Sequence, residues 1–136
     1  MRAVDKSKYK VYLDKARQHS EAGDSALKEK GYDAAVTNYC VALINLLDAL
    51  SVNRFGKDLS SDNHEAAPIN MNKRLSGIGI ADFKPLSMDC VEILKIKNVA
   101  SYLSEELTSK DAKRAQEVVG KLKAFVESKV DERVMI

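Results

Sequence analysis

The chain reads as all-α: an up-and-down bundle of four main helices plus one short helix, forming a single domain over residues 1–136. Three observations point there. Apolar residues recur at spacings of three and four in several separate segments, the period of a helix with one buried face. No period-two alternation persists beyond a few residues and no hairpin turn separates two apolar runs, so strands are not expected. Residues 32–54, YDAAVTNYCVALINLLDALSVNR, are apolar or small on nearly every face. A helix of that kind must be enclosed by others.

The first helix is expected to start at Asp5 or Ser7, whose side chains can accept from the free N–H groups of a first turn. Its stripe is Tyr9, Tyr12, Leu13, Ala16, Ser20, Gly23 and Leu27. Small residues at Ala16, Ser20 and Gly23 would let a second helix approach closely. Lys28 and Lys30 complement the C-terminal carbonyls, and Gly31 is expected to end the helix at positive φ. With so short a connection, the helix over 32–54 must fold back antiparallel. Its interruptions at Asn38, Asn45 and Asp48 argue against a bilayer span, so no membrane partner is expected.

The next stretch, FGKDLSSDNH, has loop chemistry. Asp62 or Asn63 is expected to cap a short helix over 64–75, with Pro68 in its first turns and Ala67, Met71 and Leu75 facing inward. SGIGIADFKPLS reads as a second connector, punctuated by Gly77, Gly79 and Pro85. Ser87 is expected to cap a helix over 88–105, with Val91, Leu94, Val99, Tyr102 and Leu103 towards the core. Thr108 and Asp111 have capping-box spacing ahead of a last helix over 110–129. Its stripe is Ala112, Ala115, Val119, Leu122, Phe125 and Val126. Gly120 costs that helix about 1 kcal/mol relative to Ala, so close packing is expected to explain it. The tail DERVMI is expected to fray.

With 45% hydrophobic and 31% charged residues, the chain can bury one core and is not a disordered segment. The net charge of +2 is too small to indicate nucleic-acid binding by itself. Two small concentrations, Lys6, Lys8, Lys10 and Lys95, Lys97, fit solvated helix faces. Cys40 and Cys90 both fall in apolar helical pattern and read as packed free thiols of a reducing compartment. MRAVDKSKYK carries no apolar segment, so a cytoplasmic location is expected. There is no CxxC and no histidine cluster, so neither a metal nor a cofactor is expected.

Two stretches together resemble the HEPN family of all-helical domains. Residues 26–50, ALKEKGYDAAVTNYCVALINLLDAL, are similar to its first hairpin, where one helix ends in Gly-Tyr and the next is rich in Ala, Tyr and Leu. Residues 93–126, ILKIKNVASYLSEELTSKDAKRAQEVVGKLKAFV, are similar to its closing hairpin, with an Arg-Asn-x-x-x-Tyr-like segment, a Ser/Thr-capped turn, Asp-Ala and a Phe-Val end. KGYDAAVTNYCVAL also resembles half of a tetratricopeptide repeat. Such arrays stack copies of about 34 residues, and no second copy follows at that distance. The HEPN resemblance implies nucleotide-related or RNA functions, a homodimer, and a nucleotidyltransferase-type partner, as in toxin–antitoxin pairs, or nucleic acid.

Active ribonucleases of that family carry an Arg followed after four to six residues by a His. The His can move the proton of the attacking 2′-hydroxyl, and the Arg can stabilise charge building on the phosphorus. The matching segment here is Lys97-Asn98-Val99-Ala100-Ser101-Tyr102. Lys97 keeps the charge without the planar fork. Tyr102 offers a phenol, a poor base at neutral pH. The usual motif is absent, and the resemblance implies a non-catalytic binding module.

The candidate binding residues are Asn45, Asp48, Arg54, His64, Lys97 and Tyr102. An unpartnered buried polar group is costly, so Asn38, Asn45 and Asp48 must face a rim, a partner or one another. Either they form a solvated strip, or Asn45, Asp48 and Arg54 meet Lys97 in a polar groove. His64 reads as a surface turn residue or as a phosphate contact beside Arg54. A ribonuclease with a nonstandard site of Arg54, His64 and Lys97 stands as the enzymatic alternative, and a tetratricopeptide-like scaffold as the structural one. His19 is expected to flank the first-helix interface. Ile78, Ile80 and Phe83 either plug the end of the bundle or offer an apolar patch to a partner.

Overall fold

The computed structural model describes residues 3–59, 63–103 and 106–131, leaving aside the side chains of Val99, Ser101, Tyr102 and Leu103. The described residues form five α-helices: α1 (Tyr9–Lys28), α2 (Tyr32–Phe55), α3 (Ala67–Ser76), α4 (Lys84–Leu103) and α5 (Ser109–Lys129). Four are long and one is short. Among the described residues no strand forms; an isolated antiparallel bridge pairs Ala3 with Lys57, where the Val4 N–H donates to the Gly56 carbonyl at 2.8 Å.

Helix α2 is the axis of the molecule. It packs against α1, α3, α4 and α5 and buries Val36, Tyr39, Leu43, Leu46, Leu47 and Leu50 in one cluster. Each such side chain removed from water contributes roughly 1.5–3 kcal/mol. By length and composition α2 could cross a membrane, but 72% of its apolar window is buried inside the bundle. Helix α5 packs on α1 as well as on α2 and α4. That return closes the bundle, whereas the units of an open repeat stack touch only their neighbours.

The α1–α2 hairpin works because Gly23 is small. The Tyr39 ring lies where a Gly23 side chain would be, with an added Cβ only 2.6 Å from the ring. The Tyr39 hydroxyl donates to Asp24 Oδ1 at 2.5 Å, and the same oxygen accepts from Gln116 of α5 at 2.9 Å. Burial first, and the bond to Asp24 second, push the Tyr39 phenol up from its ordinary value.

Several expectations are corrected. Gly31 does not carry positive φ; its φ is −85° and it serves as the N-cap of α2. Lys30 takes the left-handed conformation instead, at φ 63°. The Gly31 N–H donates to the Ala26 carbonyl and the Lys30 N–H to the Leu27 carbonyl, the two bonds of a Schellman termination with lysine in the usual glycine position. Ser87 is not a cap, because α4 already begins at Lys84. Ser87 lies in the first turn, buried, with its hydroxyl donating back to the Lys84 carbonyl at 2.6 Å. Pro85 is thus the second residue of α4 rather than part of the connector, a position where its missing N–H costs nothing. Gly120 is exposed and has nothing within 4 Å of a Cβ, so close packing does not explain it.

The α3 helix starts at Ala67, later than expected, after a turn over residues 63–66. Asp62, one of its expected caps, and the tail from residue 132 lie outside the described residues. The last helix carries the full capping box: Thr108 Oγ1 accepts from the Asp111 N–H, and Asp111 Oδ2 accepts from the Thr108 N–H. The apolar connector divides. Phe83 is fully buried, with its ring centroid 4.9 Å from that of Phe125, and Ile80 packs partly buried beside the core. Ile78 is 48% exposed.

Candidate functional site

Three of the predicted polar residues converge. Asn45 projects from α2, with its amide nitrogen donating to the Val41 carbonyl one turn earlier at 2.9 Å. His64 lies in the turn before α3. That turn is held by Asn63, whose side-chain oxygen accepts from the Glu65 N–H and whose carbonyl accepts from the Ala66 and Ala67 N–H groups. Lys97 comes from α4. Its neighbour Asn98 donates to Glu65 Oε2 at 2.8 Å, which ties the His64 turn to the Lys97 stretch of α4. Together Cys40, Val41, Ile44, Asn45, His64 and Lys97 line a cavity of about 240 Å³.

Lys97 is the notable group there. It is half-buried, and among the described residues its ammonium has no hydrogen-bond or ion-pair partner. Burial pushes the adjacent Cys40 thiol up to about 11, with the positive charge of Lys97 working in the opposite direction. The thiol is therefore not an activated nucleophile. Cys90 is likewise a free, buried thiol, pushed up to about 12 by burial and then by Asp89.

The remaining candidates lie elsewhere. Asp48 Oδ1 accepts from the Leu59 N–H at 2.8 Å, fastening the loop after α2 to that helix. Arg54 does not join Lys97 or His64; its Nε donates to the Lys129 carbonyl at 2.7 Å at the C-terminal end of α5. The reason is the length of α2: from Asn45 to Arg54 is nine residues, about 13 Å of helix. The Asn45–Asp48–Arg54–Lys97 groove is thus reduced to Asn45 and Lys97, joined by His64. Tyr102 lies on α4, and its side chain is outside the described residues. Asn38 faces His19, with Oδ1 3.1 Å from Nδ1, so His19 does sit at the α1–α2 interface. The Asn38 nitrogen donates to the Ala34 carbonyl, which leaves Oδ1 to accept from the His19 ring.

Reasoning from the sequence missed the apolar wall of Cys40, Val41 and Ile44, and the Glu65–Asn98 tether. Only the polar breaks in α2 signalled that this side is open. A larger cavity of about 760 Å³ lies between α4 and the start of α5. Its Arg114 is already matched by Asp89, Glu92 and Glu117 at 3.0–3.3 Å, so that guanidinium is engaged internally. Among the described residues no group of three or more His, Cys, Asp or Glu could hold a metal ion.

No family model, curated protein or solved structure matches this chain.

Proposed function

We propose that this chain is a non-catalytic HEPN-like binding module that takes a nucleotide or RNA at the cavity of Asn45, His64 and Lys97. One observation carries the reading: the half-buried Lys97 side chain, whose ammonium has no counter-charge among the described residues, lines a cavity whose other polar groups are an exposed His and a carboxamide. A phosphate supplies the missing charge and can accept from the Lys97 ammonium and from a ring N–H of His64. The reading is further supported by the resemblance of residues 26–50 and 93–126 to family hairpins. In this proposal the module is cytoplasmic and works as a homodimer or beside a nucleotidyltransferase-type partner. The exposed side chains of Val11, Ile69, Ile78 and Met88 are available for such contacts.

A ribonuclease is the second reading, favoured by His64 and Lys97 lining one cavity and weakened by the distant engagement of Arg54. One experiment separates the two. Purified protein is mixed with labelled single-stranded RNA, and both binding and chain length are followed. Binding without cleavage, lost on Lys97→Glu, is the expected result. Unchanged binding by Lys97→Glu sinks the site assignment, and cleavage that disappears in His64→Ala makes the protein an enzyme.

A further inference from the structure

The groups around the small cavity divide by chemistry. Cys40, 3% exposed, forms an apolar wall with the half-buried Val41 and Ile44 from the same helix. His64 is exposed and Lys97 is half-buried. A hydrated phosphate gains nothing from an apolar wall, whereas a flat heteroaromatic ring gains by leaving water against it. The volume of about 240 Å³ lies below the roughly 300–1,000 Å³ of pockets that enclose whole drug-sized ligands. It suits one base, with sugar and phosphate outside.

Asn45 selects the base. Its carboxamide has two N–H groups and one carbonyl oxygen. One N–H is given to Val41. The second N–H and Oδ1 make no bond among the described residues, leaving an adjacent donor and acceptor on the cavity. Adenine presents the complementary pair, an exocyclic amine beside a ring nitrogen, which Asn reads in bidentate fashion. It presents that pair on both edges away from the ribose, whereas guanine and the pyrimidines present a matching pair there on their Watson–Crick edge alone; the second pair of guanine, N2–H with N3, lies beside the ribose that stays outside. As a two-ring base it also fills the cavity better than a pyrimidine.

We infer that the cavity holds the adenine ring of a nucleotide, free or within RNA, with Lys97 and His64 meeting its phosphate at the rim. The inference rests on the nucleotide-binding reading above. It is tested by fluorescence anisotropy of the full chain with labelled RNA hexamers of A, G, C and U at about 50 mM salt, where phosphate contacts are strong. AMP and CMP serve as competitors. The A hexamer is expected to bind tightest, by about fivefold or more, the lower end of one bidentate base contact. AMP should displace it better than CMP if a free nucleotide is accepted, and only the hexamer should compete if an RNA chain is required.

Asn45→Ala should level the four affinities with helicity by circular dichroism unchanged, while Lys97→Gln should weaken all four alike. Equal affinities in the unaltered protein, or a preference that survives Asn45→Ala, overturn the adenine assignment and leave nucleotide binding standing. Failure of every hexamer and both nucleotides to bind overturns both.

Discussion

Lys30 holds the α1–α2 turn in a backbone conformation that suits glycine. At φ 63° its Cβ crowds the following carbonyl, a cost of roughly 1–2 kcal/mol. The two Schellman bonds to Ala26 and Leu27 keep it there. Lys30→Gly removes the crowding but adds freedom to the unfolded chain, an offset of roughly 0.5–1 kcal/mol. The expected net result is a stabilisation of about 0.5 kcal/mol, seen as a higher urea midpoint with unchanged slope. A lower midpoint would show that the turn does not need the left-handed residue. At the same scale, His64 and Lys97 show that sequence proximity is a poor guide to partnership. His64 is ten residues from Arg54 and thirty-three from Lys97, yet it shares a cavity with Lys97.

Two glycines inside long helices have opposite roles. Gly23 is buried in α1 against the Tyr39 ring, and that ring is held by its bond to Asp24 and has no exposed surface to retreat into. Gly23→Ala is expected to destabilise by about 1–3 kcal/mol through overpacking. Gly120 in α5 meets open space, so Gly120→Ala should stabilise by about 1 kcal/mol through helix propensity alone. Paired urea titrations should move in opposite directions; a shift of the same sign in both would mean that the α1–α2 contact is looser than the structure has it. The Thr108–Asp111 capping box was readable beforehand because it is a local motif. The start of α4 was not, because Phe83 and Pro85 together open the helix before Ser87.

Enclosure of α2 governs the whole molecule, and it buries both thiols. Burial raises Cys40 from 9.0 to about 11 and Cys90 from 9.0 to about 12. Below pH 9 both states keep these protons and the full contribution to stability is present. Above it the unfolded chain releases them while the fold does not, so stability is lost as pH rises through about 11 and 12. Tyr39, shifted in the same direction, adds to the loss above its ordinary value. The urea midpoint should therefore fall between about pH 8 and about pH 11, less steeply in Cys90→Ala. A thiol reagent should label the chain only on unfolding. Rapid labelling of the native protein, or a flat midpoint, would contradict the burial of these groups.

The sequence by itself determined the all-α class, the five helices, the enclosure of α2, the packed thiols and the last helix cap. These follow from apolar periodicity and from motifs confined to a few residues, whose physics is local. Tertiary structure decided which polar residues meet. Asn45, His64 and Lys97 share a cavity because Asn98 of α4 is tied to Glu65 beside His64, while Asp48 and Arg54 are drawn off to the Leu59 N–H and the Lys129 carbonyl. Those pairings depend on how helices far apart in the chain are rotated and stacked, which the period of a single helix does not encode.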